Sequence, residues 1–206
     1  MVFMKQLVVP YCENLDFGVC AEARIEEFGW RKNDYMPETV FRLCWNHSGL
    51  AVEAVSHETR LRMEADTDGR DVWHDSCMEF FFGPAEPERR YINLEVNPKG
   101  TIVMGFGSSK VGRVRLEEKY KPYLGLSTEI REAEGLWLAR YLISFKLLGE
   151  VFGGPPEEAR FRKFYANFYK CGEMTEFPHY GMWSKIDSPA PDFHRSEFFG
   201  ELRLVE

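Results

Sequence analysis

The sequence predicts an all-β protein, an antiparallel β-sandwich with one or two short helices. Three observations lead there. Segments rich in β-branched and aromatic residues alternate apolar with polar positions, turn residues separate them at short intervals, and helical periodicity is almost missing. No β-α-β alternation is visible that would build a parallel sheet, and no G-x-G-x-x-G or Walker sequence is present to hold a nucleotide.

Taken in order, "TVFRLCWNH" (39–47) alternates and is followed by a Ser48-Gly49 turn, with "LAVEAVSHE" (50–58) as its hairpin partner. A polar stretch leads into "CMEFFFG" (77–83). "RRYINLEVN" (89–97) alternates strongly, "PKG" turns, and "TIVMGFG" (101–107) returns. "LSTEIREAE", a turn at Gly135 and "LWLARYLISF" make another hairpin pattern. "SFKLLGEVFG" carries apolar residues at helical spacing for one or two turns before Gly153-Gly154-Pro155-Pro156 stops it. "FRKFYANFYKC" and the terminal "EFFGELRLVE" complete about nine or ten strands.

The 206 residues contain no repeat, low-complexity tract or linker, so residues 1–206 read as a single domain. A net charge of -7 argues against a nucleic-acid partner, which needs a basic surface. The five cysteines, Cys12, Cys20, Cys44, Cys77 and Cys171, form no C-x-x-C and read as reduced, mostly buried thiols. "MVFMKQLVVPYC" is too short for a signal-peptide core or a membrane span. As it stands the chain therefore reads as cytoplasmic; a secreted or periplasmic protein in its mature form would look the same.

Period-2 alternation sorts side chains to faces. Met78, Phe80 and Phe82 share one face of their strand, as do Ile92, Leu94 and Val96, and Phe164, Ala166 and Phe168. The opposite faces carry Glu79, Asn93, Glu95, Asn97, Asn167 and Tyr169. A solvated face would be polar too, but short amides mixed with phenols and indoles are unusual there. Amides and carboxylates satisfy vicinal hydroxyls, and rings pack on the C–H face of a pyranose, so the combination points to sugar recognition. Trp73 and Trp183 lie beside polar and turn residues and are the candidate platforms. Trp45 and Trp137 fall inside strand patterns and are expected in the core, with Trp30 left open.

Other constellations compete. Glu79 and Glu95 on one face form a candidate carboxylate pair for glycoside hydrolysis. Asp66, Asp68 and Asp71 crowd around Gly69, and such oxygen ligands suit calcium, although the twelfth position of an EF-hand frame would be Cys77. An Asp-Gly turn explains the same residues. The dispersed histidines show no zinc spacing, and G-x-S-x-G is absent.

"DVWHDSCMEFFFGP…RYINLEVNPKGT", followed by "FYANFYKCGE" and the closing "DFHRSEFFGEL", resembles the family 9 carbohydrate-binding modules over Thr39 to Leu204. The resemblance implies a DOMON-like β-sandwich of immunoglobulin-like architecture and noncatalytic saccharide binding, with a sugar held between two tryptophans, here Trp73 and Trp183. Glu79, Asn93, Asn97 and Asn167 would then bond its hydroxyls. Family members can carry structural calcium and are often appended to xylanases. Ser196 stands where the family pattern suggests proline. The expectation is thus a mono-, oligo- or polysaccharide binder that needs no nucleic acid or membrane. A xylanase-like glycosyl hydrolase acting through Glu79 and Glu95 is the alternative, and a DOMON-like haem binder is a third.

Overall fold

A computed structural model describes residues 4–30, 33–84 and 89–206. Among them thirteen strands form two sheets. The chain opens with Gln6–Pro10 (β1) and Ala21–Arg24 (β2), and then forms the expected hairpin of Thr39–Asn46 (β3) and Gly49–His57 (β4). Cys77–Pro84 (β5), Tyr91–Val96 (β6), Ile102–Gly107 (β7) and Val114–Arg115 (β8) pair in succession. Ser127–Arg131 (β9) and Leu136–Ser144 (β10) form the second expected hairpin. Lys163–Gly172 (β11), His179–Met182 (β12) and Gly200–Val205 (β13) close the chain.

The larger sheet has eight strands in the order β1-β13-β11-β5-β6-β7-β8, with β12 also paired to β11; the smaller runs β2-β3-β4-β10-β9. Pairing is antiparallel except between β1 and β13, which lie parallel, so the first and last strands of the chain share an edge. β1, β2, β8 and β12 escaped the sequence reading. They are short or, in β1, interrupted by Pro10, and too few residues alternate to register as a pattern.

The inner faces are those the alternation implied. Met78, Phe80 and Phe82, Ile92, Leu94 and Val96, and Phe164, Ala166 and Phe168 pack against Phe41, Leu43, Val52 and Trp137 of the smaller sheet. Phe80 and Phe168 stack with centroids 4.6 Å apart. Trp45 and Trp137 are fully buried in this core, as expected. The helix Phe145–Phe152 starts where Ser144 Oγ accepts the Leu147 amide (3.1 Å) and stops at Gly153, whose φ of 71° suits glycine. No helix among the described residues is long and apolar enough to cross a membrane.

The outer face of β5 and β6 departs from the solvated face of a simple sandwich, because both strands are buried on both sides. Phe81, Tyr91 and Tyr169 on that face gather a second apolar cluster with Ile186 and Phe199. Parts of the segments 59–76 and 186–199 thus form a third layer on that face of the larger sheet, around the site.

One charge lies inside the sandwich. Lys170 continues the inward alternation of Phe164, Ala166 and Phe168 and is fully buried. Its Nζ lies 3.0 Å from Glu58 Oε2, just beyond β4, and also donates to His179 Nε2 (2.9 Å). Glu58 in turn accepts from Ser76 Oγ (2.9 Å) and Trp137 Nε1 (3.3 Å). Removing one partner of a buried pair strands the other, so Lys170→Met should lower unfolding stability in urea by about 3–5 kcal/mol. Adding Glu58→Gln should recover part of that loss.

Candidate functional site

A cavity of about 580 Å³ opens on the outer face of the larger sheet. Its floor is set by strand register. Glu79 on β5 sits directly opposite Glu95 on β6, Phe81 opposite Asn93, and Cys77 opposite Cys171 on β11. Because one face of each strand must fill the core, these residues necessarily point the other way.

The 3-10 turn Val72–His74 raises Trp73 as one wall. That turn is pinned to the end of β11, since the Glu173 amide donates to Trp73 O (3.2 Å) and the Met174 amide to His74 O (3.1 Å). Asp75, fully buried, latches the preceding loop: it accepts from the Glu64 and Ala65 amides (3.0 and 2.9 Å), Arg62 Nη1 (2.9 Å) and Asn97 Nδ2 (3.0 Å). Tyr180 and Phe193 supply further aromatic lining. Phe193 stacks on Tyr169 at 4.0 Å and is held by Tyr169 Oη donating to its carbonyl (3.0 Å).

Asn93 Nδ2 donates to Glu95 Oε1 (2.9 Å), and Arg113 Nε donates to Asn93 Oδ1 (2.7 Å). Gly105 faces Asn93 across β6–β7, and a Cβ there would lie 2.7 Å from Asn93 Oδ1, so glycine makes room for this chain of bonds. The Arg113 Nη atoms donate to the carbonyls of Ser109, Tyr91 and Gly105, so its donors are engaged with the protein itself. The other oxygen of Glu95, Oε2, is buried with no hydrogen-bond partner. Such an atom is costly in a closed site, and this one lies in a residue that lines the cavity.

Burial controls the protonation of this floor. It pushes the Glu79 carboxyl well above the usual range, helped by neighbouring Cys171 and Glu95. It raises Glu95 to about 7 against the opposing pull of Asn93, Arg115 and Arg113. The Cys77 thiol is raised to about 12 and Cys171 is also pushed up. His194 is lowered to about 3 by burial beside Arg113 and Lys110, so it is neutral, with Nδ1 bonded to Tyr91 Oη (2.9 Å).

A family model described as carbohydrate-binding family 9 matches residues 11–204. The chain belongs to carbohydrate-binding family 9. Among solved structures, a candidate carbohydrate-binding protein from Bacteroides uniformis is similar, with 24% identity and a TM-score of 0.82, covering 98% of this chain and 100% of that one. A family 9 module from Caldicellulosiruptor kristjanssonii in complex with cellotriose has 12% identity and a TM-score of 0.63 over 97% of this chain and 93% of its own. The same source's module in complex with glucose has 13% identity and a TM-score of 0.58, covering 98% and 96%. At these identities the likeness shows the fold. A search of curated proteins returned no significant match.

Within this family 9 chain the residues expected at a site divide into two groups. Trp73, Glu79 and Asn93, with Glu95, line the cavity. Asn97, Asn167 and Trp183 do not. Asn97 braces a turn, its Oδ1 accepting from the Lys99 and Thr101 amides and its Nδ2 donating to Ala65 O. Asn167 ties β11 to the bend that follows β12, donating to Ser184 O (2.8 Å) and accepting the Ser184 amide (2.8 Å). Trp183 is a correction. Its predecessor Met182 pairs with Tyr169, so Trp183 falls beside Phe168 and turns inward, edge-on to that ring at 5.6 Å in the main core. Sequence reasoning missed Tyr180, in the four-residue β12, and Phe193 and Arg113, which lie outside the strands. Cys171 was legible: alternation carried two residues beyond Tyr169 puts it on the cavity face.

In the acidic loop, where calcium is weighed against an Asp-Gly turn, Asp68 is already paired. Lys121 Nζ bonds both carboxylate oxygens of Asp68 (2.8 and 2.9 Å), which neutralises that carboxylate. Asp68 Oδ1 also accepts the Ile102 amide (2.9 Å), which braces the loop on β7.

A pH dependence follows from Glu95. Its folded-state pKa lies above the ordinary value of 4.5, so folding favours the proton. The associated stability is present below about pH 4.5 and is lost as pH rises through about 7. Glu95→Gln should therefore gain melting temperature relative to the parent as pH rises from 4.5 to 7, with the two converging in acid. An unchanged difference across that window would contradict the protonated floor.

Proposed function

We propose that this chain binds a saccharide without chemical turnover, in the cavity walled by Trp73 and floored by Glu79, Asn93 and Glu95. The observation that carries the reading is a single cavity lined both by aromatic rings, Trp73, Tyr180 and Phe193, and by the polar floor of Glu79, Asn93 and Glu95, whose Oε2 has no protein partner. A sugar offers both complements, a C–H face for the indole and hydroxyls that donate to or accept from the carboxyl groups. A cavity of about 580 Å³ lies within the range of small-molecule sites, roughly 300–1,000 Å³. Tyr180 and Phe193 take the role that the sequence gave to Trp183, as the rings accompanying Trp73. Since similar family 9 modules are held with cellotriose and glucose, glucose and cello-oligosaccharides are the first ligands to test.

Hydrolysis through Glu79 and Glu95 has less support. The two carboxyls rise side by side from adjacent strands, and burial raises both. A glycosidase needs its carboxyls flanking the scissile bond, with one held ionised. A haem pocket would be apolar, whereas this floor holds two carboxyl groups.

Titration of the chain with glucose, cellotriose and a glycan array, read by tryptophan fluorescence, tests the proposal. Saturable quenching or a blue shift is expected, with Trp73→Ala weakening affinity about tenfold or more, equivalent to ~1.4 kcal/mol. Glu95→Gln should weaken it less, because an amide oxygen still accepts. Silence across the whole panel, or full affinity in Trp73→Ala, would sink the reading.

A further inference from the structure

At the cavity floor, and just behind it, stand two groups that a sugar does not need. Thiols are weak hydrogen-bonding partners for hydroxyls. Yet Cys77 and Cys171 are direct partners across β5 and β11, and Glu79 follows two residues on along the same face. Glu79 Oε1 lies 2.9 Å from Cys171 Sγ and 3.9 Å from Cys77 Sγ. All three ligand atoms fall within 4.8 Å of one another. Among the described residues this is the single cluster of three or more Cys, His, Asp and Glu side chains so close together. If the thiols were there merely as small core hydrophobes, a glutamate would not be buried against them.

We propose that Cys77, Cys171 and Glu79 bind a thiophilic divalent cation, with Zn²⁺ as the reference, on the floor of the cavity. Two sulfurs and one carboxylate oxygen are a donor set suited to zinc, whereas calcium and magnesium prefer oxygen alone. Tetrahedral bonds of ~2.3 Å to sulfur and ~2.0–2.2 Å to oxygen place ligand atoms roughly 3.4–3.8 Å apart. The observed separations of 2.9 and 3.9 Å bracket that spacing. All three ligands stand on hydrogen-bonded central strands rather than loops, which holds their geometry before an ion arrives. Cys171 and Glu79 line the cavity, so an ion has a path in and keeps a fourth position facing it. Glu95, whose Oε2 has no hydrogen-bond partner, stands opposite Glu79 across the strands. On binding, each thiol and the carboxyl release a proton to solvent, leaving three anionic ligands around the doubly charged ion.

The site is tested on the full chain, reduced and stripped with chelator, in a Cys12→Ser, Cys20→Ser background that removes the two partly exposed thiols. One equivalent of Co²⁺ should produce sulfur-to-cobalt charge-transfer absorption in the near ultraviolet, and Zn²⁺ should displace it and raise the melting temperature. Cys77→Ser and Cys171→Ser should each weaken Zn²⁺ binding at least tenfold, while Cys44→Ser, the third buried thiol, should leave it unchanged. Alanine replaces serine in any variant that fails to fold. Protection of Cys171 from alkylation by Zn²⁺ but not Mg²⁺ reads the same site in the unmutated protein. Cobalt bound without the sulfur band, no zinc binding at micromolar concentration, undiminished binding in Cys171→Ser, or unprotected Cys171 would each overturn the proposal. Glycan titration of the metal-free chain reads saccharide binding separately.

Discussion

The buried pair of Lys170 and Glu58 is the constraint on which the remaining structure leans. It joins the two sheets at one end of the sandwich, since Lys170 belongs to β11 and Glu58 follows β4. A bare ammonium could not be buried there. The cost is offset because Glu58 is itself bonded by Ser76 and Trp137, and His179 supplies a neutral acceptor. Burial and the lysine charge lower His179 to about 3, which keeps Nε2 free of a proton, and its Nδ1 bonds Phe177 O. The network thereby fixes where β5 begins and where β11 ends, and both limits define the cavity.

From that end the site follows by geometry. Ser76, held on Glu58, precedes Cys77, and Asp75 before it gathers the loop 62–65 through two amides and an arginine. Trp73 is carried on the short turn between this latch and the β11 terminus. Its position thus depends on buried hydrogen bonds of the latch as well as on its packing against Val72, Cys77, Val103 and Cys171. The stretch "DVWHDSCMEFFF" therefore holds three jobs in one run: latch, wall and strand.

The third layer explains why a sheet face can be both polar and buried. Phe81, Tyr91 and Tyr169 anchor the segment 186–199 over the larger sheet, while Glu79, Asn93 and Glu95 remain beneath the opening. Desolvation there raises both carboxyls, so the floor holds protons near neutral pH and is sensitive to whatever replaces them. A sugar hydroxyl would share a hydrogen bond with these carboxyls, whereas a metal ion would displace their proton.

Much of this was legible in the sequence because alternation is a local property. A strand in a sandwich must send every second side chain to the core, so Phe80, Leu94 and Phe168 declared their face, and Glu79, Asn93 and Glu95 the other, without any knowledge of partners. Turn residues likewise marked both hairpins. Trp73 stood out because nothing in its local pattern buried it. Only the tertiary structure could decide what depends on pairing between distant segments. The register of β12 on β11 turned Trp183 inward, the bonds of Asn97 and Asn167 became braces, and the fold brought Tyr180, Phe193 and Arg113 to the cavity from irregular or very short segments. Sequence determines which way a strand faces; register and loop packing determine what it faces.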